Sequence, residues 1–296
     1  MITLATAVPG IKRQRAAERP KGSGRTRRTG IHLAIIAVGC VMLYPLLWML
    51  VSSFKPTDSI FTTSLFSGPW TLSNYVQGWN QLGYPFTRFF LNSFLLGLLA
   101  AAGNLISCSL AAYAFARMEF RGRKLFFALM LGTIMLPFHV TIVPQYIMFH
   151  WLGWVNTFLP LVLPKFLAVD GFFVFLMVQF IRGLPRELDE AARIDGCGSF
   201  AIFWRIIIPL MRPALAVAGV FSFIWSYNEF FSPLLYLTDQ KLFTMPLALN
   251  SFLDSTGESN WGPMFAMAVL SLVPLFVVFL VAQKHLVEGI ATTGIK

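Results

Sequence analysis

Six long apolar stretches dominate this chain, and each is long enough to cross a bilayer. About 20 helical residues span ~30 Å of hydrocarbon. Stretches of that order run from Ile31 to Phe54, Phe89 to Ala116, Leu125 to Phe149, Phe158 to Ile181, Pro213 to Leu237 and Pro263 to Gln283. Backbone in lipid must satisfy its own hydrogen bonds, so runs of this length are read as helices. Charged residues make up 12% of the chain, against about a quarter in an ordinary soluble domain. The sequence therefore predicts an all-α membrane protein with six transmembrane helices. Pro137 and Pro144 interrupt the third stretch and, with Gln145 beside them, mark a helix break there. The expected organisation is a basic tail over 1–30, a first span over 31–54 and an outer segment over 55–87. A core over 88–285 follows, with an inner loop at 182–212, and a tail over 286–296 closes the chain.

Orientation follows from the basic residues. Of the 23 Lys and Arg, all but Lys55, Arg88, Lys165 and Lys241 fall in the N-terminal tail, Arg117–Lys124, Arg182–Arg212 or the C-terminal end. The positive-inside rule then places both termini and the 182–212 loop in the cytoplasm. The tail carries Lys12, Arg13, Arg15, Arg19, Lys21, Arg25, Arg27 and Arg28 among Gly, Ser, Thr and Pro, a composition that resists folding. It is read as a topogenic or anionic-lipid contact. Nucleic-acid binding would need stacking aromatics or a folded module, so the bilayer is the expected partner and nucleic acid is not. The apolar run after Arg27-Arg28 lacks a small-residue cleavage site and leads into five more stretches, which makes it an uncleaved anchor. Cys40, Cys108 and Cys197 have no C-x-x-C spacing, and His32, His139, His150 and His285 have no ligand spacing, so no metal site is predicted. An embedded enzyme would need a clustered nucleophile, base or metal set within the spans. None is found, and the chain is read as non-catalytic.

One polar segment lies between two greasy ones. Pro185 suits the first turn of a helix. Glu187, Asp189 and Glu190 follow near the positive end of the helix dipole, with Arg193 toward the other end. Gly196 suits a left-handed residue just past the helix. The expected helix runs from Pro185 to Asp195, about three turns, with Leu184, Leu188, Ala191 and Ala192 on one side. Ser199 is expected to cap a second short helix, Phe200 to Ile208, which Pro209 ends. On physical grounds alone such a helix serves equally well to dock on a soluble partner or to rest on lipid.

The sequence Glu190-Ala191-Ala192, with Gly196, Ile206 and Pro209 at fixed distances after it, resembles the EAA loop of binding-protein-dependent ABC importer permeases. Ile208 stands where that family usually has Leu. The resemblance runs from about Trp70 to Lys296: it takes in Trp70–Tyr75, Asn92-Ser93, Ala111–Arg117 and Trp225–Phe230. The tail Glu288–Lys296 resembles that of the MalG-like carbohydrate branch, which serves maltose, other oligosaccharides and glycerol-phosphate compounds. The resemblance implies the type I ABC importer permease fold. It implies as partners a second homologous permease subunit, an ABC ATPase dimer and an extracytoplasmic solute-binding protein. Leu188, Glu190, Ala191, Ala192, Ile194, Asp195, Gly196 and Pro209 would then couple to the ATPase, with Glu190 pairing to one of its basic residues. Gly294 and Lys296 would be further ATPase contacts. No G-x-x-x-x-G-K-[ST] phosphate loop occurs here, so ATP and Mg belong to the partner ATPase and this chain carries no cofactor.

Trp225, Tyr227, Asn228 and Glu229 are candidates for the translocation pathway. An ionisable group within a span should face water or protein, and amide, carboxylate and aromatic groups suit hydroxylated solutes. The same residues can equally serve to join helices. Lys165 and Asp170, five residues apart, are expected to pair only loosely or to sit near an outer vestibule. Asp254, Ser255, Thr256, Gly257, Glu258, Ser259, Asn260 and Trp261 lie where the branch extends a loop toward the binding protein, or else form an ordinary surface loop. A secondary transporter or channel also fits six spans, but has no use for the EAA loop.

Overall fold

The first apolar stretch folds as α1, Ser23–Ser52, a 30-residue helix that keeps Pro45 within it. The computed structural model describes residues 23–62, 64–253 and 259–291, with side chains over 28–283, and every regular element in them is helical. The chain divides into two units, residues 1–48 and 49–296. Along the first unit, large apolar side chains such as Ile35, Val41 and Met42 are exposed, as suits a helix whose solvent is lipid.

In the second unit α2 (Ser73–Asn80) precedes α3 (Phe86–Arg117), a helix of 32 residues. The pair α4 (Arg123–Ile134) and α5 (Phe138–Trp151) is bent by 102°. Then come α6 (Leu159–Val162), a 3-10 turn over Leu163–Leu167, and α7 (Gly171–Arg182). The polar loop holds α8 (Glu187–Ile194), α9 (Ser199–Ile202) and α10 (Ile208–Leu210), with a π-helical turn, Phe203–Ile207, joining the last two. Finally α11 (Arg212–Asn228), α12 (Phe231–Tyr236) and α13 (Met245–Asn250) lead to α14 (Trp261–Ala291). Four segments are each long and apolar enough to span: Arg28–Ser52, Phe86–Arg117, Leu159–Arg182 and Trp261–Gln283. Counting each of two bent pairs, α4–α5 and Ser199–Leu210 with α11 (bent by 78°), as one span brings the described candidates to six by length and composition.

Three of the expected spans are interrupted, one of them at a break that the sequence signals. The third breaks at Pro137, which has no N–H and bars helical geometry at Leu136, and which serves as the N-cap of α5. Pro144 breaks nothing and stays inside α5. The fourth is split by Ala168 in the left-handed region (φ 55°) ahead of α7. The fifth ends at Asn228, nine residues short of Leu237 in expectation, because Glu229 turns extended (ψ 123°). Its Oε1 then accepts the N–H groups of Phe231 and Ser232, which starts α12.

Helix association in lipid gains little from the hydrophobic effect, so close approach of small residues must supply it. The buried face of α3 is built for that: Gly97, Ala100, Gly103, Ser107 and Cys108 recur at helical spacing, with Gly97 against Phe223 of α11, Gly103 and Ser107 against the Leu163–Leu167 turn, and Cys108 in a core shared with α7. At one end of α3, Phe86 and Phe89 join Phe223 and Tyr227 of α11 and Met267 of α14 in a core. At the other, Ala112 and Tyr113 join Met177 and Ile181 of α7 and Ala192 of α8 in a second core. Polar ties hold the loops to this frame. Asn74 donates to the carbonyls of Ser53 and Lys55, Asn92 to those of Lys241 and Phe243, and Ser93 Oγ accepts the Met245 N–H.

Candidate functional site

The polar loop places a short helix on the frame. The N–H groups of Asp189 and Glu190 reach back to the Arg186 carbonyl. Pro185 therefore stays outside the helix, and α8 makes about two turns, not three. Gly196 sits at φ 82°, and the loop folds back over the helix end. Gly196 N–H bonds the Arg193 carbonyl at 3.0 Å and Cys197 N–H bonds that of Ala192 at 2.9 Å, the paired bonds of a Schellman cap.

The side expected to hold Leu184, Leu188, Ala191 and Ala192 together is divided by burial. Asp189 and Ala192 face the core, whereas Leu188 and Ala191 are exposed. The cause is Arg117 at the end of α3. Its Nε lies 3.0 Å from Asp189 Oδ2, with both side chains more than nine-tenths buried, and its Nη2 donates to the Leu184 carbonyl at 2.8 Å. A guanidinium buried without a counter-charge costs more than an exposed leucine, so charge sets the roll of the helix. The pairing is one of charge: Nε has no aligned hydrogen bond, and Asp189 Oδ1 takes no donor among the described residues. Neither residue was predicted as part of the site. The available signal was helical register, since Asp189 lies three positions before Ala192 on the face of the buried alanine.

The opposite face stays uncovered. Glu190, Ala191, Asp195 and Gly196 are exposed, and Ile194 is 87% exposed. Phe200 and Trp204 nearby are exposed too, edge to face with centroids 6.2 Å apart. Ser199 begins α9 without capping it; Gly198 holds the cap position. Pro209 is exposed and lies inside α10, where it was expected to stop a helix. The π-helical register just before it, with Ile208 N–H bonded to the Phe203 carbonyl, accommodates a residue that lacks an N–H. Gly294 and Lys296 lie outside the described residues.

A second feature is a cavity of about 970 Å³ among α4 to α7, α11 and α12. Trp225 and Glu229 line it. Tyr227 does not: it is buried in the Phe86 core, its hydroxyl donating to the Ser271 carbonyl at 3.2 Å. Asn228 is exposed elsewhere and donates to the Ile224 carbonyl. Lys165 and Asp170 reach the cavity as a firm pair, Nζ lying 3.2 Å and 2.9 Å from the two carboxylate oxygens. The break at Ala168 brings them together where an unbroken helix would hold them on different faces. Asp170 Oδ2 also accepts from Asn104 Nδ2 at 2.7 Å, and Asn104 donates to Ser222 Oγ at 2.8 Å. Gln145, read from sequence as part of a helix break, lines the cavity as well.

Beyond the spans, Asp239 and Lys241 pair at 2.8 Å. The side-chain hydrogen bond between them holds the Asp239 carboxyl below its ordinary range and the Lys241 amine above its own. Of the candidate outer loop, Ser259, Asn260 and Trp261 are described. Asn260 N–H bonds the Phe252 carbonyl, and Trp261 packs edge to face on Phe61 at 5.7 Å. Asp254, Ser255, Thr256, Gly257 and Glu258 lie outside the described residues.

The chain is similar to known proteins over most of its length. A family model described as "Binding-protein-dependent transport system inner membrane component" matches residues 94–292. The trehalose/maltose transport system permease protein MalG of Thermococcus litoralis is 33% identical over 271 residues, covering 91% of this chain and 97% of that protein. The arabinooligosaccharides transport system permease protein AraQ of Halalkalibacterium halodurans is 32% identical over 263 residues, covering 88% and 93%. One chain of the crystal structure of a bacterial ABC transporter involved in the import of the acidic polysaccharide alginate superposes with a TM-score of 0.77 at 22% identity. The match covers 90% of this chain and 100% of that one, and shows a shared fold.

Proposed function

This chain belongs to the binding-protein-dependent transport system inner membrane components, and from that membership we propose that it is the permease subunit of an ATP-driven carbohydrate importer. Family membership makes it a multi-pass, non-catalytic membrane component of an importer that works with a binding protein and an ATPase. The finer assignments are our reading. The solute is a carbohydrate of oligosaccharide or glycerol-phosphate type, in keeping with relatives named for trehalose/maltose, arabinooligosaccharides and sn-glycerol-3-phosphate. This chain forms half of the pathway, opposite a second homologous permease subunit. Both termini and α8 face the cytoplasm, while Asp254–Trp261 meets the binding protein. ATP and Mg are bound by an ATPase dimer that receives Leu188, Glu190, Ile194 and their neighbours, together with Gly294 and Lys296.

The observation that carries this reading is the two-sided character of α8. One face is anchored through Asp189 and Ala192 to α3 and α7, and the other presents Glu190 and Ile194 uncovered. A helix so held passes a push on its free face into the spans. Turning a population from 1:99 to 99:1 requires ~5.5 kcal/mol of differential binding, which closure of an ATPase dimer on nucleotide is positioned to deliver here. The test is uptake by the complete importer in proteoliposomes. Transport should require ATP and survive collapse of the proton gradient. Uptake driven by a proton gradient and indifferent to ATP would point to a secondary transporter instead.

A further inference from the structure

Resting on the importer reading, we infer that the cavity is a solute subsite selective for uncharged, polyhydroxylated molecules (oligosaccharides without phosphate or carboxylate groups) over anionic ones. Its volume of about 970 Å³ admits such a solute. Its chemistry has three parts. Trp225, half exposed, packs against Phe172 and Phe173 with centroids 5.2 Å from each and contributes aromatic surface to the cavity lining. Such a surface packs on the C–H side of a sugar ring with little entropy left to lose. Gln145 and Ser226 add amide and hydroxyl groups that both donate and accept, as sugar hydroxyls do, while the Thr133, Thr141 and Ser232 hydroxyls donate to the Met130 and Phe138 carbonyls and to Glu229 and offer acceptor lone pairs.

The charges decide between solute classes. Among the described residues that line the cavity, Lys165 is the one Lys or Arg, and Asp170 and Glu229 are the carboxylates. The Lys165 ammonium is held by both oxygens of Asp170, and Asp170 is fixed further by Asn104. An anionic solute meets no available cation: it would have to part Lys165 from Asp170 while facing Glu229. Like charges repel more strongly in a water-poor site than in bulk water. A neutral sugar leaves the pair intact and finds hydrogen-bonding capacity around it.

The experiment uses the complete importer in proteoliposomes with ATP. The solutes offered are a mixture of neutral glucose, galactose and arabinose oligosaccharides, sn-glycerol-3-phosphate, and a trigalacturonate. ATP-dependent accumulation of at least one neutral sugar, about tenfold or more above either anion, is the expected result. Trp225→Ala should cut neutral uptake about tenfold while the complex still assembles by size exclusion. Glu229→Gln and Asp170→Asn, the latter freeing the ammonium, should each raise the anion-to-neutral ratio. Anions accumulating at parity in the unaltered importer would overturn the proposal, as would a ratio unmoved by both charge variants in assembled complexes. Accumulation of no solute at all on ATP would defeat the importer reading itself.

Discussion

Asp189 is buried because Arg117 is, and the pair fixes how α8 sits on the frame. Asp189→Ala strands a buried guanidinium and should cost about 3–5 kcal/mol. A lowered melting temperature of the purified complex and loss of co-purifying ATPase would register it. The double change Arg117→Leu with Asp189→Leu removes both charges and should recover most of the melting temperature, since an ion pair with an unmet acceptor gains little over apolar packing. Gly196 acts through backbone alone, because a Cβ there would meet nothing within 4 Å yet φ is 82°. Gly196→Ala should therefore cost about 1–2 kcal/mol, with Gly196→Asn milder, measured as a fall in the melting temperature of the purified complex. The glycine was legible in the sequence because its position after a charged helix admits few other uses. Asp189 was not, since a carboxylate near a helix N-terminus reads as a dipole partner until a buried arginine from another span is seen beside it.

Among the elements, α3 carries the packing, and its glycines mark where neighbours come closest. At Gly103 a Cβ would lie 2.8 Å from a Phe166 ring carbon and 3.0 Å from the Lys165 carbonyl carbon. Gly103→Ala should thus cost about 1–3 kcal/mol by overpacking and disturb the Lys165–Asp170 junction. Gly132→Ala in α4 meets nothing within 4 Å and should leave the melting temperature unchanged or raised. Comparing the two by thermal unfolding in detergent separates close approach from propensity. The six apolar stretches and the break at Pro137 were readable because length, hydropathy and a missing N–H are local properties. The breaks at Ala168 and Asn228 were not. Alanine carries no signal for left-handed geometry, and Glu229 caps α12 through a conformation that composition does not encode.

At the scale of the molecule, the uncovered helix is proposed to receive force and the cavity to take the solute. Tyr227 and Asn228 were pathway candidates for their aromatic and amide chemistry, but helical rotation sends neighbours in sequence to different faces. Register, not proximity in the chain, assigns them. Deleting Ser255–Asn260 should lower uptake while leaving the complex assembled on size exclusion, because the proposed binding-protein contact is lost while the packed helices remain, at the cost of the Asn260–Phe252 and Met264–Asn260 backbone bonds. The central claim concerns α8, and the most direct test is a cysteine at Ile194 in the complete importer, cross-linked with a short bifunctional reagent at each stage of the nucleotide cycle. The account predicts an adduct with the ATPase, with a yield that changes on ATP binding. An Ile194→Cys importer that transports normally yet forms no ATPase adduct in any nucleotide state would contradict it.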